Sequence, residues 1–266
     1  MDTRPFRALW ITNMFSSPER GQYRGIFVGQ QLEALRALGG IQVEMELVAQ
    51  ERGVIDYLLA NPRVSSRWRR GNFDLVHVHY GLTGMATLFL PTRVPTVFTL
   101  YGDDINTPWQ RRITRAVAGR ARRRIFVAGR LAAAWPSGRN RVLPNGVDFD
   151  LFRPRPREEA CRALGLDPSR QWVLFGASPE RMDKGYDVFT EVLDRVRRRH
   201  PQANQLVLSE PDQLTSRVVD KFNAADVLLF TSRRGKEGSP TVVKESLAVG
   251  LPVVSVDVGD VGEMLA

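Results

Sequence analysis

The chain has 266 residues, 43% apolar and 25% charged, enough for two small domains with real cores and too ordinary in composition for a disordered or fibrous protein. Its 38 basic and 29 acidic side chains leave a net charge of +9, and a single cysteine, Cys161, excludes a disulfide framework. No apolar run approaches the ~18 residues of a membrane span, and MDTRPFRALWITNMF lacks a signal-peptide cleavage pattern, so a cytoplasmic protein is expected.

Apolar runs of strand length alternate with helical patterns from end to end. FRALWI (6–11) reads as a buried strand, and RGIFVGQQLEALRALGG as a helix with Phe27, Leu32, Leu35 and Leu38 on its apolar side, stopped by Gly39 and Gly40. IQVEMELV (41–48), FDLVHVHY (73–80), VPTVFTL (94–100) and RRIFVAG (123–129) read as further strands. Between the later ones lie LTGMATLFL and a helix from Trp109 to about Arg122. RVLPNGVDFDLFRPRPRE (141–158) breaks the rhythm with an Asn-Gly turn and two prolines, as a linker would.

A second series comes after it. WVLFGA (172–177), QLVLSE (205–210), DVLLFTS (226–232) and PVVSVDV (252–258) are strands. KGYDVFTEVLDRVRRRH (184–200), SRVVDKFNAA and PTVVKESLAV, stopped by Gly250, are helices. The β-α-β alternation predicts an α/β fold of two Rossmann-like, doubly wound parallel-sheet domains joined near residue 150.

Ligands of such sheets sit where strand C-termini feed helix N-termini. After strand 172–177, Arg181 and Lys184 are two cations at a helix entrance, suited to a diphosphate whose charge grows as it leaves. After strand 226–232 comes KEGSPTVVKES. Gly238, Ser239 and Pro240 form a turn, with Ser239 expected as N-cap and Pro240 as first helical residue. The amides of Thr241 and Val242 would then lack helical partners. Glu245, one turn down and off the Val243–Leu247 stripe expected to face the core, suits the two hydroxyls of a ribose, and Glu237 a sugar beyond the phosphates.

The first half offers less. GQYRG (21–25) ends a turn in Gly25 but is not G-x-G-x-x-G, and no P-loop or H-E-x-x-H occurs. His77 and His79 share a strand face, with no third metal ligand near them in sequence. TLYGDD places Tyr101, Asp103 and Asp104 at a strand end, where Asp104 serves either a site or its own turn. From Arg111 to Arg157 stand thirteen arginines and two acids, a field for phosphates or an anionic membrane face. No zinc-finger, RNP or helix-turn-helix pattern accompanies it, so nucleic acid is not an expected partner.

FDLVHVHYGLTG, VPTVFTLYGDDIN, RVLPNGVDFDLFRP, the Arg181/Lys184 turn and EGSPTVVKESLAVGLPVVSVDVGDVGEML together resemble the retaining family 4 glycosyltransferases of GT-B fold, over essentially the whole chain. The resemblance implies an N-terminal acceptor-side domain over 1–152, a nucleotide-sugar-binding domain over 153–266 and a cleft between them. It implies no cofactor and no metal. Glu237, Tyr101, Lys184 and Arg181 would carry catalysis. Glu245, Gly238, Ser239, Pro240, Thr241 and Val242 would bind the donor, with Gly25, His79 and Asp104 on the acceptor side. The function implied is transfer of a sugar from a nucleotide diphosphate to a hydroxyl of a glycan or lipid-linked acceptor, in cell-envelope or exopolysaccharide synthesis. An inactive nucleotide-sugar-binding or assembly partner is the alternative. Three features depart from the family. Tyr101 replaces the histidine of its T-x-H-G turn, and Pro179 stands where its arginine often precedes the lysine by five residues, leaving Arg181 three before. Ala266 falls where a further strand and closing helices are expected, as in a truncated chain.

Overall fold

In the computed structural model, residues 4–15, 25–48, 52–208 and 216–266 are described. The chain divides into two compact units, 1–145 and 146–266. The division precedes the expected boundary after residue 152 because Val147 and Phe152 pack on the core of the second unit. Phe152 is buried edge-on against Phe222, and Val147 lies on the same core.

The first unit is a six-stranded parallel sheet ordered β2-β1-β3-β4-β5-β6, built from β1 (Phe6–Thr12), β2 (Ile41–Leu47), β3 (Leu75–His79), β4 (Thr96–Leu100), β5 (Arg123–Phe126) and β6 (Asn140–Val142). Alternation along β1 explains its central place. Leu9 and Ile11 enter the large core with Val76, Val78 and Phe98, whereas Ala8 and Trp10 point the other way, onto Val28 and Leu32. Those two belong to α1 (Ile26–Leu38), which Gly39 ends; Leu38, expected on its apolar side, is the last helical residue and is 80% exposed. LTGMATLFL forms a tight 3-10 stretch, Gly81–Thr87, where Gly81 packs on Thr114 and Gly84 on Phe98 too closely for any side chain. Among the described residues of this unit the remaining α-helices are α2 (Ile55–Leu59), α3 (Asn61–Gly71), α4 (Asp103–Asn106), α5 (Pro108–Ala118) and α6 (Gly129–Ala133). The helix expected over 109–122 is therefore shorter at its end. Residues 1–145 hold 21 arginines, no lysine and 10 acidic side chains, so the positive excess of the chain lies in this unit.

The second unit is a smaller parallel sheet ordered β10-β9-β7-β8, from β7 (Gln171–Phe175), β8 (Ala203–Val207), β9 (Val227–Phe230) and β10 (Val253–Ser255). Its helices are α7 (Arg157–Leu164), α8 (Tyr186–Arg197), α9 (Ser216–Ala224), α10 (Thr241–Ala248) and α11 (Val261–Met264). Leu174 and Leu228 face one core, Phe175 and Leu229 the other, so both faces are covered, each buried Leu or Phe stabilising the unit by ~1.5–3 kcal/mol.

Strand order locates the ligand edges. In the first unit β2 and β3 flank β1 on opposite sides, and in the second β8 and β9 flank β7, so the connections diverge at the ends of β1/β3 and β7/β9. A crevice at the strand C-termini belongs at such a point. Among the described residues, no helix is long and apolar enough to cross a membrane.

Candidate functional site

In the second unit, the turn after β7 is stapled to the loop after β9. Gly185 takes φ +70° and passes Thr231 so closely that a Cβ would lie 2.3 Å from its carbonyl oxygen. The Thr231 hydroxyl donates to the carbonyls of Lys184 and Gly185, and the Arg233 amide to that of Asp183. This stapling carries Lys184 across to Glu237. Lys184 Nζ donates to Glu237 Oε1 at 2.5 Å, and the same oxygen accepts the Ser232 hydroxyl at 2.5 Å. The side chains are 15% and 8% exposed, so two charges have left most of their water and hold each other through a charge-assisted bond.

Arg181 behaves differently. Its guanidinium is more than half exposed and lies on Asp183 at 2.9 Å, while Asp183 stands 3.9 Å from Lys184 Nζ. The lysine is thus drawn into the strand-end site, and the arginine remains at its rim behind a carboxylate.

The entrance of α10 departs from expectation by one residue. The helix starts at Thr241, with Pro240 in the cap position and no side-chain cap, because the Ser239 hydroxyl donates instead to Asp260 Oδ2 at 2.6 Å. Thr241 and Val242 remain in the first turn, where amides have no intrahelical partner. Val243 is buried as expected, but Leu247 is 43% exposed; the buried positions are Val243 and Ser246, and Val242 leans on Gly176 at the start of the β7 turn. Glu245 lies half-buried one turn below Thr241, whose hydroxyl it accepts. Loss of water raises its pKa to about 7, against the lowering effect of the Thr241 bond.

In the first unit, residues at the C-terminal edge form a buried polar stack. His77 and His79 do share a strand face, with ring centroids 4.1 Å apart and Trp10 against both. His77 Nε2 bonds the Thr99 hydroxyl at 2.8 Å, and His79 Nδ1 the Tyr101 hydroxyl at 2.7 Å. His79 is fully buried and its Nε2 has no partner, so it lies beneath Tyr101 and not at the surface. Burial drives its pKa well down, helped by His77, and keeps the imidazole neutral; burial likewise raises the Tyr101 phenol. Asp104 serves its own turn: its carboxylate accepts the amides of Gly81, Tyr101 and Gly102, tying the ends of β3 and β4 together. Burial raises its pKa to about 6, against those three amides. Gly25 takes φ +77° directly over the Met14 carbonyl, 2.3 Å from where a Cβ would stand, bringing α1 onto the end of β1. The rest of GQYRG lies outside the described residues. Among the described residues no three His, Cys, Asp or Glu side chains gather to hold a metal ion.

Four participants escaped the sequence reading: Ser232, Thr231, Gly185 and Asp260. Thr231 and Ser232 end the apolar run DVLLFTS, a polar pair at a strand terminus, which is a usable signal. Asp260 had none, since only folding brings it to Ser239, 21 residues upstream in the sequence.

Two family models match the chain, Glycosyltransferase Family 4 over residues 21–151 and Glycosyl transferases group 1 over 170–266. A D-inositol 3-phosphate glycosyltransferase of Segniliparus rotundus is 28% identical over 239 residues, covering 72% of this chain and 52% of that protein. A lipopolysaccharide core biosynthesis mannosyltransferase, LpsB of Rhizobium meliloti, is 29% identical over 203 residues, covering 66% and 56%. The chain therefore spans little more than half the length of these curated relatives. Among solved structures, Anabaena HepE in complex with UDP and glucose shares the fold with a TM-score of 0.68 at 17% identity, over 98% of this chain and 83% of that one. With one model over each unit and a matching pair of parallel sheets, the chain belongs to the family 4 glycosyltransferases of GT-B fold.

Proposed function

We propose that the second unit binds a nucleotide-diphosphate sugar and that the protein transfers the sugar, with retention, to a hydroxyl of a glycan or lipid-linked acceptor in cell-envelope or exopolysaccharide synthesis. The observation that carries this reading is the Lys184–Glu237 pair beside the entrance of α10, with Glu245 one turn below. Phosphate oxygens suit Lys184 and the unpaired amides of Thr241 and Val242. Sugar hydroxyls suit Glu237, which already accepts a hydroxyl from Ser232. Ribose hydroxyls suit Glu245, and their two donated bonds favour its charged form. As the bond to the diphosphate breaks, the same cation and amides meet the growing charge, so no metal is needed in this scheme. In the first unit Tyr101, supported by its bond to His79 and by the Asp104 turn, would serve the acceptor hydroxyl. Arg181, paired with Asp183, would reach the phosphates by leaving that partner. The glycosyltransferase names of the relatives and the UDP and glucose held by the Anabaena protein support the donor class.

Calorimetric titration with UDP, GDP and ADP and with their sugars tests the donor site directly. One base series should bind, and Lys184→Ala should lose at least tenfold in affinity, roughly the effect of one charged hydrogen bond. No binding by any series would sink the reading. A second reading, a nucleotide-sugar-binding partner without turnover, draws on the Tyr101 phenol bonded to a buried, neutral His79. Release of free nucleoside diphosphate from any sugar nucleotide would remove it.

A further inference from the structure

The loop that carries Glu237 is held at two places, and only one belongs to the proposed donor contacts. Lys184 and Ser232 hold the Glu237 carboxylate. The next two residues are held from the other side by Asp260. Its amide donates to the Gly238 carbonyl at 3.1 Å, and its Oδ2 accepts the Ser239 hydroxyl at 2.6 Å. Gly259 makes this approach possible. It takes φ +58°, and a Cβ there would stand 2.4 Å from the Gly238 oxygen and 3.3 Å from Glu237 Cβ. Any side chain at 259 would push the loop away.

Asp260 is 4% exposed, and its Oδ1 is buried without a partner. A buried carboxylate oxygen with no donor is unfavourable, so the carboxylate carries a local cost that an apolar side chain would avoid. What the carboxylate adds is the bond that takes Ser239 out of the helix cap and fixes the turn before α10. Its charge is also felt by Lys244, whose pKa burial lowers and Asp260 raises. The carbonyl of Asp260 meanwhile accepts the amides of Glu263 and Met264, anchoring the residue in α11.

We propose that Asp260 is a positioning residue: through Ser239 and Gly238 it latches the 237–240 loop in the shape that presents Glu237 to the donor sugar. The role in donor binding rests on the function proposed above, while the latch itself does not. Glu245 and Lys184 lie outside the latched loop, so the contacts they offer to ribose and phosphate should survive its release. The sugar contact should not.

The test uses the full chain in four forms: wild type, Asp260→Ala, Ser239→Ala and Asp260→Asn, whose amide oxygen can still accept the Ser239 hydroxyl. Deuterium exchange of the ligand-free proteins reads the latch. Peptides covering 236–242 should exchange about tenfold faster in Asp260→Ala and Ser239→Ala, the scale of one lost buried hydrogen bond. In both, strands β7 and β9 should be unchanged, and Asp260→Asn should stay near wild type. Titration reads the site: Asp260→Ala should bind the sugar nucleotide about tenfold more weakly yet the bare nucleoside diphosphate within about twofold of wild type. Unchanged loop exchange overturns the latch. Faster exchange with equal losses for both ligands overturns the positioning role and leaves a general structural one. If the wild type binds no nucleotide, the proposed function fails, and the exchange experiment still decides the latch. Should Asp260→Ala fail to fold, Ser239→Ala against Asp260→Asn gives the same contrast.

Discussion

Lys184 Nζ and Glu237 Oε1 lie 2.5 Å apart although 53 residues separate them, because the turn after β7 is stapled to the loop after β9. Such a pair, mostly out of water, contributes little net stability when intact and costs much when halved. Lys184→Met should destabilise the second unit by about 3 kcal/mol, and adding Glu237→Gln should recover part of that loss. Urea unfolding of the two variants checks it; equal stability of both would mean the pair is better solvated than its burial indicates.

Glu245 links the site to pH. Its pKa in the fold is raised to about 7, so between the ordinary carboxyl range and about 7 the folded chain holds a proton that the unfolded chain has lost. Stability should therefore fall as pH rises through that window, by roughly 3 kcal/mol at most, and Glu245→Gln should flatten the profile. A ribose asks for the charged form, so nucleotide affinity should rise over the same window. At pH 8, Glu245→Gln should weaken nucleotide binding by about 1–3 kcal/mol. Affinity independent of both pH and the substitution would place Glu245 outside the site.

Asp104 accepts three amides from two strand ends, and its replacement should loosen both. Asp104→Ala should cost about 2–3 kcal/mol and expose the Gly81 and Gly102 amides to exchange. Thermal unfolding with amide exchange reads both effects, and protected amides in the variant would contradict the clamp.

Tyr101→Phe removes the bond to His79 Nδ1 and leaves both ring nitrogens of a buried histidine unpaired. A loss of about 1–3 kcal/mol is expected, with the imidazole still neutral at pH 7. The His79 ring resonances should titrate well below the ordinary histidine range in the wild type, and titration within that range would show that the ring is not sealed.

The 21 arginines of residues 1–145 predict adsorption to anionic vesicles. Binding to vesicles containing anionic lipid should exceed binding to neutral ones and weaken as salt shortens the screening length below about 10 Å. Equal binding to both would remove the membrane as a partner.

The α/β alternation, most strand cores and the placing of Lys184, Glu237, Thr241 and Glu245 at strand ends and a helix entrance are legible in the residues alone. Those features arise from local periodicity and turn chemistry, which a linear reading can see. It erred where neighbours in space set the outcome. Leu38 and Leu247 carry the right spacing yet are exposed, since spacing alone does not decide which turn of a helix is covered. Ser239 has the chemistry of an N-cap, yet a buried carboxylate 21 residues away competes for its hydroxyl and the helix starts one residue late. Arg181 and Lys184 look equivalent in sequence; Asp183 holds the first at the rim while the stapled loops draw the second inward. Local pattern fixes which elements form and which edge faces a ligand. Competition among distant partners for the same hydrogen bonds decides which side chains reach that edge, and only the tertiary structure contains it.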